Sequence, residues 1–243
     1  MALRSFADGA LFAEVYGSGS PTVLALHGWG RRGNDFAKAL DGLSGIAPDL
    51  PGFGASPAPR EAIGADAYAD TVASILGSFD RPPVLVGHSF GGRVAVCLAA
   101  KNPDRVGNLV LTGVPLIRLE TGRRPPAVYR FVRWLNSIGL LSDERMESEK
   151  KRRGSADYRA ADGVMRDILV RVVNESYEGQ LARIDKRVHL LWGADDAEVP
   201  VSVAEAASAL LSDSKLDVLP GVGHFVPVNA PNDLRRAIEE AAT

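Results

Sequence analysis

The sequence predicts an α/β fold, a mostly parallel, twisted sheet with helices on both faces. Three observations predict it. Short apolar runs rich in β-branched residues alternate along the chain with stretches whose apolar residues recur at helical spacing. Runs such as Val84-Leu85-Val86 are apolar throughout rather than at every second residue, as strands covered on both faces are. One of these runs breaks into Gly87-His88-Ser89-Phe90-Gly91 and then at once into the helix-like Arg93 to Ala100, so a strand must turn sharply into a helix there.

Composition is that of an ordinary globular chain: 243 residues, 46% hydrophobic and 24% charged, long enough for one large core. The net charge of −2 gives no general attraction to nucleic acid. No run is long and apolar enough to span a bilayer. Asp8 and Glu14 interrupt the first sixteen residues, which therefore lack the apolar core of a signal peptide, and a cytoplasmic protein is expected. Cys97, the only cysteine, has no partner for a disulfide and falls in the helix after the sharp turn, where it reads as core filler.

In chain order, Leu3 to Phe6 and Ala10 to Tyr16 predict two strands joined at Asp8-Gly9. Thr22 to Leu26 predicts a buried strand ending in the loop His27-Gly28-Trp29-Gly30. Asn34 is expected to cap a helix from Asp35 to Leu43, and Gly45 to Pro48 is another strand. Asp49 to Ser56 alternates Pro and Gly as a rigid turn, with Asp49 structural. Ala65 to Phe79 is helical, Pro83 to Gly87 and Val106 to Thr112 are strands, and Leu116 to Gln180 loses the strand–helix alternation for charged helical stretches. Val188 to Trp192 resumes as a strand, followed by a helix over Val201 to Leu211, an extended Lys215 to Leu219 and a helix over Leu234 to Ala242. The core is thus expected in residues 1–115 and 181–243, with 116–180 an inserted helical cap or lid.

The G-x-S-x-G spacing carries a specific demand. A serine between such a strand and helix is held in a strained conformation with its hydroxyl exposed. Gly87 and Gly91 are glycine because a Cβ at either would collide as strand and helix close on each other.

Five motifs in order, HGWG at 27–30, DLPGFGAS at 49–56, GHSFGG at 87–92, GADDAEVP at 193–200 and GVGHF at 221–225, together resemble the α/β-hydrolases that carry a helical cap. That resemblance implies a serine hydrolase whose parts follow in the order Ser, Asp or Glu, His. Ser89 takes the place of the nucleophile. Asp195 and Asp196 are both candidates for the acid, and the spacing Gly193-x-x-Asp196-x-x-Val199-Pro200 favours Asp196. Of four histidines, His27 lies in the loop that resembles the family's oxyanion loop, His88 sits inside the elbow with its ring expected to point away from Ser89, and His189 lies within a strand. His224, flanked by Gly221 and Gly223 on a loop after a strand, remains as the base. The backbone N–H groups of Trp29 and Phe90 are the implied oxyanion donors. His27, Phe131, Trp134, Leu135 and Phe225 are candidate pocket residues. No H-x-x-H or C-x-x-C spacing occurs, so neither metal nor cofactor is expected.

The leading reading is therefore a carboxylesterase that cleaves a small-molecule ester through an acyl-enzyme. A carbon–carbon bond hydrolase of the same family and a ligand receptor or signalling partner with vestigial hydrolysis are the alternatives. The cap segment is rich in Arg and Lys, including Lys150 to Arg153, with Glu144, Glu147 and Glu149 interleaved. It reads as a solvated charged face or as a basic surface for an acyl group linked to an anionic carrier, as in the bacterial pimeloyl-carrier-protein methyl ester esterases that also carry HGWG.

Overall fold

A computed structural model describes residues 2–118 and 156–243. Among them, eight strands form one sheet in the order β1-β2-β4-β3-β5-β6-β7-β8. The strands are β1 Ala2–Phe6, β2 Leu11–Tyr16, β3 Val23–Leu26, β4 Gly45–Asp49, β5 Val84–His88, β6 Leu109–Thr112, β7 Val188–Gly193 and β8 Ser214–Leu219. β1 and β2 are antiparallel to their neighbours, and every pairing from β4 to β8 is parallel. The parallel strands are short and buried from end to end in β3, β5, β6 and β7.

Side chains alternate between two cores. Leu24, Leu26, Leu85 and Leu111 face one core, which is shared with the helices α1 (Ala65–Ala73) and α2 (Phe90–Lys101). Val23, Ala25, Val84, Val86 and Val110 face the other. They pack there against Leu234 and Ile238 of the C-terminal helix Pro231–Ala241. This is the two-faced cover that a parallel sheet requires.

The segment between β6 and β7 returns as three described helices: α3 Ala156–Ala160, α4 Gly163–Val172 and α5 Glu178–Leu181. Ile168, Val172, Tyr177 and Leu181 join the main core. The buried Arg93 of α2 donates to the Val172 carbonyl at the end of α4, tying this segment to the helix that begins at the elbow. The remaining helices are α6 Val201–Ser208, α7 Val226–Asn229 and α8 Pro231–Ala241. Phe131, Trp134, Leu135 and the basic run Lys150 to Arg153 lie outside the described residues.

Two expectations change in detail. Asn34 caps no helix: a single 3-10 turn, Gly33–Phe36, follows Arg32 instead of a helix to Leu43. Arg31 grips Asp35 there, Asp49 takes the Gly33 N–H, and Gly42 turns left-handed at φ 85°, so the segment is held as turns. The last helix starts earlier than its apolar spacing suggests, with Pro231 in the first turn, where its missing N–H is not needed. Among the described residues, no helix is long and apolar enough to cross a membrane.

Candidate active site

β5 ends at His88 and α2 begins at Phe90, so Ser89 alone makes the corner, at φ 49° and ψ −114°. A non-glycine residue in such a region stores roughly 1–3 kcal/mol of strain, tolerated only when the surroundings fix it. They do so here. The Ser89 N–H extends the parallel ladder to the Thr112 carbonyl at 3.0 Å, and the Ser89 carbonyl accepts from Gly92 at 3.1 Å. The flanking glycines are demanded by contact: a Cβ on Gly87 would lie 2.5 Å from the Gly92 Cα, and one on Gly91 would lie 2.2 Å from the Leu26 carbonyl oxygen. Phe90 opens the helix, so its N–H has no intrahelical partner.

The loop after β3 lies against this corner. His27 is fully buried. Its Nδ1–H donates to the Gly28 carbonyl at 2.7 Å, and its Nε2 accepts the Leu50 N–H at 2.8 Å. The Gly28 carbonyl also accepts the Arg31 N–H at 3.2 Å. In a trans peptide the C=O and the following N–H point in opposite directions. Holding the Gly28 carbonyl therefore turns the Trp29 N–H the other way. His27 is thus not a pocket residue, as the sequence suggested: both ring nitrogens are spent on the backbone. Burial pushes its pKa down to about 4, so the ring stays neutral. Asp49 braces the neighbouring turn by accepting the Gly33 and Ala55 N–H groups at 2.9 and 2.8 Å.

Past β7, Asp196 is buried, and its Oδ1 accepts the backbone N–H groups of Glu198 (2.9 Å) and Val199 (2.8 Å). Its Oδ2 accepts the His224 Nδ1–H at 2.8 Å. The indole of buried Trp192 donates to the Val199 carbonyl at 2.8 Å, which pins the same turn. Burial alone would raise the Asp196 pKa, but the bond from His224 and those from Val199 and Glu198 outweigh it and hold the carboxyl below its usual range. Asp195 is exposed, its N–H bonded to the Val222 carbonyl, so of the two candidate acids it is Asp196 that meets the histidine. His224 is itself buried, on the loop after β8. Gly113, just past β6, backs the pair: a Cβ there would lie 2.9 Å from His224 Nδ1 and 3.3 Å from Asp196 Oδ2.

Ser89 and His224 border one cleft of about 510 Å³, together with Trp29, Glu198 and Phe225. Among the described residues no hydrogen bond joins Ser89 Oγ to His224. Residues 23–237 match the model of the alpha/beta hydrolase family. The chain belongs to the α/β-hydrolase family.

Among its relatives, a pimeloyl-[acyl-carrier protein] methyl ester esterase of Chromobacterium violaceum is 30% identical over 95% of this chain and 97% of its own length. Lipase LipV of Mycobacterium tuberculosis is 31% identical over 94% of this chain and 96% of its own. A membrane phospholipase A shares the fold with a TM-score of 0.75 at 22% identity, over 99% of this chain and 86% of that one.

In this α/β-hydrolase the other two histidines have separate roles. His88 departs from expectation. Its ring does not point away from the site but borders the cleft, 4.9 Å from the His224 ring. Side-chain alternation along a strand fails at the residue before a corner, because Ser89 has left extended geometry. The His88 Nδ1–H donates to the Thr112 carbonyl at 3.1 Å, while Nε2 has no partner among the described residues. Burial, then the neighbouring His224, pushes the His88 pKa down to about 3. His189 sits near the start of β7 and bonds Asp217 at 2.8 Å. Phe225 borders the cleft with the Arg31 guanidinium 5.2 Å above its ring. Among the described residues no group of three or more His, Cys, Asp or Glu could hold a metal ion. Cys97 is buried, and burial pushes its thiol up to about 12.

The residues that sequence reasoning missed are the ones that hold others: Trp192, Gly113 and the backbone of Glu198. A glycine directly after β6, facing the end of two neighbouring strands, was the available signal for Gly113.

Proposed function

We propose that this α/β-hydrolase is a serine carboxylesterase, with Ser89 the nucleophile, His224 the base and Asp196 the group that orients it. The observation that carries the reading is the bond from Asp196 to His224 Nδ1 at 2.8 Å, which leaves Nε2 facing the cleft that the strained Ser89 also borders. Ser89 Oγ attacks the ester carbonyl as His224 Nε2 takes its proton. The developing oxyanion is met by the N–H groups of Trp29 and Phe90, the first turned by the His27–Gly28 bond and the second at the positive end of α2. Collapse expels the alcohol, which takes the proton from His224. Water then attacks the acyl-enzyme, giving its proton to His224, and the acid leaves as Ser89 is restored. Hydrogen bonds between nucleophile and base commonly tighten only once substrate is bound.

Residues 116–180 are the proposed cap. An ester carried on an acidic carrier, docked on basic cap residues such as Lys150 to Arg153, is the proposed physiological form. The carrier-linked ester in the name of the Chromobacterium relative supports this. Labelling with a fluorophosphonate and peptide mapping tests the nucleophile: the label is expected on Ser89, and Ser89→Ala is expected to abolish turnover of p-nitrophenyl esters. A label on another residue, or sustained turnover by Ser89→Ala, refutes the proposal.

A further inference from the structure

The cleft holds a side chain that the chemistry above does not use. Glu198 lies two residues past Asp196. Its backbone N–H serves the orienting carboxylate, but its side chain turns to the opposite end of the base. One carboxylate oxygen is 3.7 Å from His224 Nε2, and the side chain is 59% exposed to the cleft and solvent. A formal negative charge therefore sits beside the nitrogen proposed to move the proton, on the cleft that Ser89 also borders.

Arg31 also borders the cleft, but its positive charge is matched by Asp35. The Arg31 guanidinium is engaged by both Asp35 oxygens, at 2.6 and 2.9 Å, and lies over the Phe225 ring. His88 cannot supply a cation. It is buried, and because Nδ1–H is given to the Thr112 carbonyl, its unpartnered Nε2 is left as a lone pair, an acceptor and not a donor. Asp157 adds a second carboxylate on the same cleft. With Arg31 matched by Asp35, the carboxylates of Glu198 and Asp157 leave the cleft an excess of negative charge among the described residues.

We propose that Glu198 sets the charge preference of the site: it takes esters that are neutral beside the scissile bond and rejects those that bear a carboxylate there. The proposal rests on the esterase reading and names its substrate class. A dicarboxylic acid would be accepted with its far end masked, as an ester or a thioester, and refused as a free half-ester. The discrimination is electrostatic, so at a separation of about 7 Å through partly solvated space it amounts to roughly three- to thirtyfold. It weakens as salt shortens the Debye length.

The test uses two probes of the same length, dimethyl glutarate and monomethyl glutarate, with the released acid followed by titration at neutral pH. The native enzyme is expected to favour the diester in kcat/KM. Glu198→Gln, which keeps the backbone N–H to Asp196, is expected to narrow the ratio of the two kcat/KM values about three- to tenfold, and Glu198→Lys to narrow it further. Asp157→Asn, on a different segment, narrows it in the same direction. Raising salt from about 0.02 to about 0.5 M narrows the native ratio as well, without any substitution. An unchanged ratio in Glu198→Gln and Asp157→Asn, even with lower rates on both probes, overturns the proposal, as does a native enzyme that prefers the half-ester. Failure of the esterase reading is distinguished by Ser89→Ala, which then leaves turnover of both probes intact.

Discussion

Gly113→Ala isolates the contact on which the proposed base depends. Gly113 has φ 58°, and an added Cβ would lie 2.9 Å from both Cε1 and Nδ1 of His224. Nonbonded carbon contacts settle near 3.5–4.0 Å, so the ring must give way by about 0.6–1 Å. A displacement of about 1 Å in a reacting group costs on the order of a hundredfold in rate. The left-handed backbone adds roughly 1–2 kcal/mol of destabilisation for a residue with a Cβ, which lowers the thermal midpoint by about 2–8 °C in a chain of this size. Gly42→Ala supplies the control, since Gly42 has φ 85° and nothing within 4 Å of its would-be Cβ. Both variants are expected to melt earlier, Gly113→Ala by more because its Cβ also presses on the buried ring. Only Gly113→Ala should lose about a hundredfold in kcat on p-nitrophenyl butyrate. If Gly113→Ala kept kcat within about threefold of native while melting early, the His224–Asp196 pair it presses on would not be the working one.

The strain at Ser89 predicts a trade between activity and stability. Ser89→Gly removes the hydroxyl and accepts φ 49° without penalty, so it should be inactive yet melt about 2–6 °C above Ser89→Ala, which keeps the Cβ. Equal midpoints by calorimetry would mean the corner is not strained. Asp196→Asn should lower kcat by about 10⁴-fold, as loss of the orienting carboxylate does in triads generally. Because the folded pKa of Asp196 is depressed, its contribution to stability is full above the unfolded value near pH 4 and is lost as pH falls through the lower folded value. The gap between native and Asp196→Asn urea midpoints should therefore narrow on acidification. A gap that widens instead would contradict the bonding seen at that carboxyl.

The sequence made some of this legible because the constraint was covalent and local. A glycine two residues either side of a serine, at the end of an apolar run, admits few geometries, and Gly87, Ser89 and Gly91 adopt the expected one. A mostly parallel sheet followed from runs buried on both faces, as β3, β5, β6 and β7 are, while the strand order did not. What stayed hidden was directional. The elbow's sequence predicts that the His88 ring points away from Ser89, yet the ring borders the same cleft. The sequence leaves His27 either a structural residue of its loop or a pocket residue, and the positions of Leu50 and Gly28 decide for the structural one. Where the Glu198 side chain lies depends on how the turn after Asp196 folds back, which is held by Asp196 Oδ1 taking the Glu198 and Val199 N–H groups and by the distant Trp192 reaching Val199.

Four histidines in four settings show how one residue type is sorted by its partners. His27 and His88 each give Nδ1–H to a backbone carbonyl and are buried, so each is locked as a neutral ring of one tautomer. Such a ring can orient a peptide or accept a bond, but protonation is costly because both burial and the fixed geometry oppose it. His189 is near the other end of the parallel strands, level with Val110, and its Nε2 is engaged by Asp217 within the neighbouring strand β8. His224 differs from all three: its Nδ1 proton meets a carboxylate while Nε2 faces a cleft. The proposed base must take up and return a proton twice in each turnover, which needs that combination: a negative partner to stabilise the imidazolium and an open nitrogen to reach the substrate. The parallel sheet makes this arrangement possible, because β3, β5, β6, β7 and β8 lie side by side with their C-terminal ends aligned. Each of those ends delivers one part: the His27 loop, Ser89, Gly113, Asp196 and His224. Exchanging the environments of His88 and His224 would leave the composition of the site unchanged and abolish the proposed chemistry.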